Sequence, residues 1–198
     1  RDVERSRGLG DVYKRQLPEN QIMGSGTILD TARLRYGLSE HFKVAQGNIH
    51  AYVFGEHGDT SFIPWTGAYI SGLSTDEYYE EMKAHGKDVK PLDKEAMLEY
   101  VQKSGGKVIA KKGATFYAVS ATVCQLVGLI LAASDSLATV SSMLHGEYGI
   151  EDVCLSTLTL VGPNGIQGKV QMRMNKEEVA LLKKSADALK EVIAQIEL

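Results

Sequence analysis

Two cysteines in 198 residues are too few for a disulfide framework, and Cys124 and Cys154 stand apart in apolar surroundings with no CxxC spacing. They are expected to be small buried hydrophobes in a reducing, cytoplasmic compartment rather than staples or metal ligands. Charge of one sign is also scarce. A net charge of −3 argues against nucleic acid or an anionic membrane as the main partner. Arg1, Asp2, Glu4, Arg5 and Arg7 crowd the N-terminus with no apolar run behind them, so no signal peptide is expected. Long hydrophobic runs are limited to residues 115–133, which carry no charge over about the length of a marginal membrane span. Tyr117, Ser120, Thr122 and Gln125 dilute that run, and it is expected to be a central helix buried on most sides.

Several catalytic signatures are missing as well. Gly24-Ser25-Gly26 lacks the third glycine and the clear preceding strand of a dinucleotide fingerprint. The stretch from Gly162 to Lys169 misses the phosphate-loop spacing by one residue, and Val170 stands where a hydroxyl residue is needed. There is no HExxH, His50 and His57 are too far apart for adjacent helical ligands, and no metal site is expected. The absence of GxSxG leaves no hydrolase nucleophile.

What the chain does have is size enough for a real core, removing roughly 70% of the unfolded surface from water. Residues 1–16 are half charged and without periodicity, and are expected to be a disordered leader. From Leu17 the character changes. Thr27 can cap a helix running to about Phe42, with Ile28, Leu29, Ala32 and Tyr36 as its apolar face. A strand over 48–54 follows, then a turn at Gly55-Glu56-His57-Gly58-Asp59 and a second extended segment into Ala68-Tyr69-Ile70. Two helices opened by Asp76-Glu77 and by Asp93 lie in a polar, surface region. Beyond Asp135, residues 138–144, 153–161 and 168–173 read as three strands of an antiparallel meander. An amphipathic helix from Lys176 to Leu198 closes the chain on Val179, Leu182, Ala186, Leu189 and Ile193.

The chemistry is sought at His57, one titratable imidazole held between two glycines and two carboxylates. Asp30 and Arg33, three residues apart, share a helix face, whereas Arg35 lies about 200° round from Arg33 and must do something else. An Asp on one imidazole nitrogen would fix its tautomer and stabilise the imidazolium, and an Arg offers a planar fork for a carboxylate. Together the three could bind a small acid and move a proton at its oxygen. The bland alternatives are an exposed Asp30–Arg33 ion pair and a turn histidine bonded to backbone.

Gly24-Ser25-Gly26-Thr27-Ile28-Leu29-Asp30-Thr31-Ala32-Arg33-Leu34-Arg35 and Asn48-Ile49-His50-Ala51-Tyr52-Val53-Phe54-Gly55-Glu56-His57-Gly58-Asp59-Thr60 closely resemble the bacterial L-lactate dehydrogenase family, and the likeness extends from Leu17 to Leu198. The resemblance implies an α+β substrate-binding domain at 17–198, with antiparallel strands packed against long helices. It implies that His57 is the proton donor and acceptor, Asp30 its orienting partner, Arg33 the clamp on the substrate carboxylate and Thr115 a substrate-pocket residue. The implied reaction is the NADH-dependent interconversion of pyruvate and L-lactate at the end of fermentative glycolysis. Arg35 and His50 match residues that line an inter-subunit site for the activator fructose 1,6-bisphosphate in a homotetramer.

No Rossmann domain is expected within these residues, and 1–16 match nothing in the family, which suggests a truncated or misassembled reading frame there. Malate dehydrogenase is the alternative within the superfamily, although Glu56 before His57 leans toward lactate. An alternative of another class is an inactive fragment that only associates with itself.

Overall fold

The computed structural model describes residues 17–195, so the leader expected over 1–16 and the last three residues lie outside it. The elements in chain order are α1 (Ile28–Phe42), β1 (Ile49–His50), β2 (Tyr69–Ile70), β3 (Leu73–Ser74), α2 (Thr75–Ala84), α3 (Lys94–Lys112) and α4 (Tyr117–Leu131). They continue with β4 (Ser136–Ala138), β5 (Ser141–His145), β6 (Glu151–Ser156), β7 (Thr159–Gly162), β8 (Gly165–Lys169) and α5 (Lys176–Ala194). Every strand pair is antiparallel, in sheets ordered β1-β2-β3, β4-β7-β8 and β5-β6. This is the α+β arrangement expected.

Local chemistry sets several helix boundaries. Ser74 and Glu77 form a capping box at α2, Asn175 and Glu178 form another at α5, and Asp93 accepts from the Ala96 N–H to start α3. Thr27 stands at the N-cap of α1 but makes no side-chain cap, because its hydroxyl is used across the fold. The buried stripe of α1 starts at Ile28 as expected and then leaves the expected face. Thr31, Leu34, Leu38 and Phe42 are buried, while Ala32 and Tyr36 are exposed.

The three strands expected after Asp135 are five. β4 and β5 form one arm of a long hairpin and β6 and β7 the other, since Ala138 faces Thr159 and Ser141 faces Ser156. Strand pairing lapses on both arms at the same level, at 139–140 and 157–158, and the hairpin passes from one sheet to the other there. Gly24 and Gly55 bridge to Ser141 and Ser156, the first paired residues beyond this break.

The core has three parts. Leu34, Leu38 and Phe42 of α1 meet Ile49, Ile70 and Val101, so α3, expected at the surface, contributes a fully buried residue. Leu182 and Ala186 of α5 pack with Phe54, Phe62, Val153 and Leu155. Ile28, Leu126, Val140 and Val161 close the space between α1, α4 and the β4-β7-β8 sheet. Each fully buried Leu or Phe contributes about 1.5–3 kcal/mol relative to exposure.

Two burial expectations are corrected. Helix α4 is buried at Thr122 and Leu126 and half-covered at Leu129 and Ile130, whereas Phe116 at its N-cap, Tyr117 and Leu131 are 63%, 81% and 78% exposed. Its composition reports an aversion to water but not what supplies the cover. No helix among the described residues is long and apolar enough to cross a membrane. Cys124 and Cys154 are both exposed. Cys154 stands between buried Val153 and Leu155, and the two-residue period of a strand turns it to the opposite face. Cys124 lies about 200° round α4 from buried Thr122.

Candidate functional site

The site begins with two threonines one helical turn apart. The hydroxyl of Thr27 donates to the carbonyl of Val53 at 2.5 Å, and the N–H of Val53 donates to Thr31 Oγ1 at 3.0 Å. Both backbone polar groups of Val53 are thereby satisfied by α1, in an interior where Thr27 and Val53 are fully buried. An unpaired buried amide would cost ~1–3 kcal/mol, so this clamp fixes the extended segment against the first turn of the helix. Asp30 projects from that same turn.

The chain then runs through Phe54, whose backbone exchanges two hydrogen bonds with Phe62 at 2.9 and 3.1 Å. Their rings meet edge to face. The turn between them carries His57, as a hairpin-like reading of the sequence requires, although the ladder is one bridge long rather than two full strands. His57 Nδ1 lies 2.6 Å from Asp30 Oδ2, and Arg33 Nη1 donates to Asp30 Oδ1 at 2.9 Å. The Asp30 side chain is only 6% exposed and that of Arg33 only 16%, so the exposed ion pair is ruled out. His57, by contrast, is 62% exposed in its side chain. One desolvated carboxylate thus serves an accessible imidazole and a half-covered guanidinium at once.

Glu56 folds back under the turn. Its Oε1 receives the Thr60 hydroxyl at 2.6 Å and the Thr60 N–H at 3.2 Å. Ser185 of α5 accepts the Glu56 N–H at 2.8 Å, and Gln102 of α3 donates to the carbonyls of Asp59 and Ser61 at 3.2 and 2.9 Å. These supports escaped the sequence reading, yet Ser185 left a signal there. It is a hydroxyl on the apolar stripe of α5, between Leu182 and Leu189.

The remaining candidates are more dispersed. Thr115 is half-buried in the turn between α3 and α4, and Arg33 lies beside Gly105 of α3. Arg35 points away from Arg33, as its helical phase requires. Its Nε donates to the Ala51 carbonyl at 3.1 Å, its guanidinium lies over the Tyr52 ring, and it lines a cleft with Gln125 and Leu129. His50 is exposed on β1, directly before Ala51. Among the described residues no group of three His, Cys, Asp or Glu could hold a metal ion.

Gly24-Ser25-Gly26 cannot cradle the phosphates of a dinucleotide. Gly24 exchanges both backbone hydrogen bonds with Ser141, and a side-chain carbon on Gly26, at φ +50°, would lie 2.4 Å from Ser156 Oγ. Both glycines are spent on packing against Ser141 and Ser156.

A buried carboxylate shared between an imidazole and a guanidinium, on a helix and loop that meet at it, is an arrangement suited to small acids. The chain belongs to the lactate/malate dehydrogenase family, matching its alpha/beta C-terminal domain over residues 27–197. It is 44% identical over 181 residues to the L-lactate dehydrogenase of Acetivibrio thermocellus and 42% identical over 179 residues to L-lactate dehydrogenase 1 of Clostridium acetobutylicum. These alignments cover 91% and 90% of this chain but 56% of each relative. The solved L-lactate dehydrogenase from Clostridium thermocellum superposes with a TM-score of 0.82 at 34% identity, covering 92% of this chain and 58% of that one. The minor L-lactate dehydrogenase from Enterococcus mundtii gives 0.83 at 30% identity, covering 92% and 57%. The chain thus spans little more than half the length of the proteins it matches.

Proposed function

We propose that this chain forms the substrate-binding and proton-transferring part of an NAD-dependent L-lactate dehydrogenase. The observation that carries this is the single carboxylate of Asp30, with His57 Nδ1 at 2.6 Å and Arg33 Nη1 at 2.9 Å. The names of its relatives point the same way.

In this reading Arg33 spends one of its five N–H donors on Asp30 and offers others as a fork to the carboxylate of pyruvate. Protonated His57 donates Nδ1–H to Asp30 and Nε2–H to the keto oxygen, and neutral His57 takes that proton back in lactate oxidation. Thr115 belongs to the pocket that receives the substrate. NADH would supply the hydride that reaches the keto carbon, and the residues described here act only on the substrate and the proton. The assembly is a cytoplasmic homotetramer, and Arg35 with His50 contributes to a site for fructose 1,6-bisphosphate between subunits.

The test is oxidation of NADH on adding pyruvate. It is made with the chain itself and with the chain joined to the segment of the Acetivibrio thermocellus relative that it does not cover. Turnover with pyruvate in the joined protein is the expected result. Turnover with oxaloacetate instead would move the assignment to malate, and none with either would end it.

A further inference from the structure

Helix α5 approaches the His57 turn from below, and one of its residues is polar where its neighbours are not. Ser185 is fully buried beside Leu182 and Ala186, which pack on Phe54 and Phe62 at the two ends of the turn. Its hydroxyl oxygen accepts the Glu56 N–H at 2.8 Å and lies 2.9 Å from Thr60 Oγ1. Thr60 has one hydroxyl proton and two acceptors within reach. It can be given to the carboxylate of Glu56 at 2.6 Å or to Ser185 Oγ at 2.9 Å, so the Thr60 hydroxyl ties the Glu56 side chain to α5.

The result is a closed ring of contacts: the Glu56 N–H and the Thr60 hydroxyl both reach Ser185 Oγ, and Thr60 also reaches the Glu56 side chain. His57 sits inside the arc that this ring spans. Space for Ser185 exists only because residue 55 is glycine, since a side-chain carbon there would lie 2.7 Å from Ser185 Oγ. On the opposite side Gln102 holds the far end of the turn through Asp59 and Ser61.

We propose that Ser185 and Thr60 are positioning residues that hold the His57 turn at the height where Nδ1 meets Asp30. This rests on the reading of His57 as the proton donor, and it deepens that reading by naming what aims the imidazole. Both hydroxyls are engaged within the protein, with Glu56 and with each other. A displacement of the ring by about 1 Å can cost ~10²-fold in rate, so loss of either hydroxyl registers in turnover before it registers in substrate capture.

The experiment has two arms, applied to Ser185→Ala, to Thr60→Val, which keeps the volume and deletes the hydroxyl, and to Thr60→Ser, which keeps the hydroxyl. In the first, the chain as it stands is followed by proton NMR at the His57 Nδ1–H resonance of the Asp30 hydrogen bond, with thermal melting as a check on folding. The resonance is expected to be lost or broadened in Ser185→Ala and Thr60→Val and kept in Thr60→Ser. In the second, kcat for pyruvate in the joined protein is expected to fall about 10- to 100-fold in the first two variants, with KM little changed.

A folded Thr60→Val chain with an unaltered resonance overturns the proposal, even where Ser185→Ala does not fold. So does a variant that raises KM and spares kcat. If the parent protein fails to turn over pyruvate, the proposed function falls, and the NMR arm alone still decides whether the two hydroxyls position His57.

Discussion

His57 Nδ1 and Asp30 Oδ2 are 2.6 Å apart although the residues are 27 positions apart in the chain. The contact depends on a third point, because Thr27 and Thr31 hold Val53 on either side of Asp30, and Val53 leads directly into the turn. The imidazole is accessible and the carboxylate is not, so a buried Asp30 orients a side chain that faces outward.

Replacing His57 by Asn keeps a hydrogen-bonding side chain but removes the group that exchanges a proton. Turnover of pyruvate in the joined protein should fall about 10²- to 10⁴-fold. Because the His57 side chain is 62% exposed, the melting temperature should hardly move. Turnover within a few-fold of the parent would remove His57 from the proton step.

Arg33→Lys tests the fork. A lysine can still reach Asp30 as a point charge, but it cannot present two parallel donors to a carboxylate. The expected signature is a raised KM for pyruvate with a smaller loss in kcat. An unchanged KM would assign Arg33 to support of Asp30 alone.

How much of this could be read beforehand depends on whether the cause is local. The Asp30–Arg33 pair follows from a three-residue spacing and was legible. The burial of α1 was misphased, because Asp30 and Thr31 are buried for reasons that lie across the fold, in His57, Val53 and Thr139. Periodicity assigns polar residues outward, and so it rotated the stripe toward Ala32 and Tyr36. The division of the long hairpin was equally invisible. Val140, Thr139, Thr157 and Leu158 all suit a strand, and the break in pairing falls next to where Gly24 and Gly55 bridge to Ser141 and Ser156, residues far away in the chain. The meeting of His57 with Asp30 came from family resemblance, since no pattern within one element joins them.

Gly55→Ala should destabilise the chain by about 1–3 kcal/mol, since φ there is +96° and strained backbone of this kind costs that much. The added carbon would also press on Ser185 Oγ. Urea unfolding reads the loss directly. A midpoint within error of the parent would mean that α5 and the His57 turn do not press together as described.

Arg35→Ala removes a guanidinium that donates to Ala51 and covers the Tyr52 ring. The lost hydrogen bond should cost about 1 kcal/mol of stability. In the joined protein, basal turnover should persist while stimulation by fructose 1,6-bisphosphate disappears. Stimulation that survives the substitution would leave Arg35 with its structural contacts only.

Lys169 on β8 provides a prediction in pH. Its ammonium is half-buried and donates to Ser142 Oγ at 2.5 Å. Burial lowers its pKa from 10.5, and the negative charges of Glu147, Cys154 and Glu19 oppose that shift without reversing it. The unfolded chain keeps its proton up to the ordinary lysine range, whereas the folded chain gives it up earlier. Between the lowered value and 10.5 the unfolded state binds more protons, and stability contributed by this residue therefore rises with pH. Below that window the cost of burying the charge is fully present. Lys169→Met carries no such proton, so the difference in melting temperature between variant and parent should move in the parent's favour as pH is raised toward 10.5. A difference that stays constant across the window would show that Lys169 is hydrated in the folded chain.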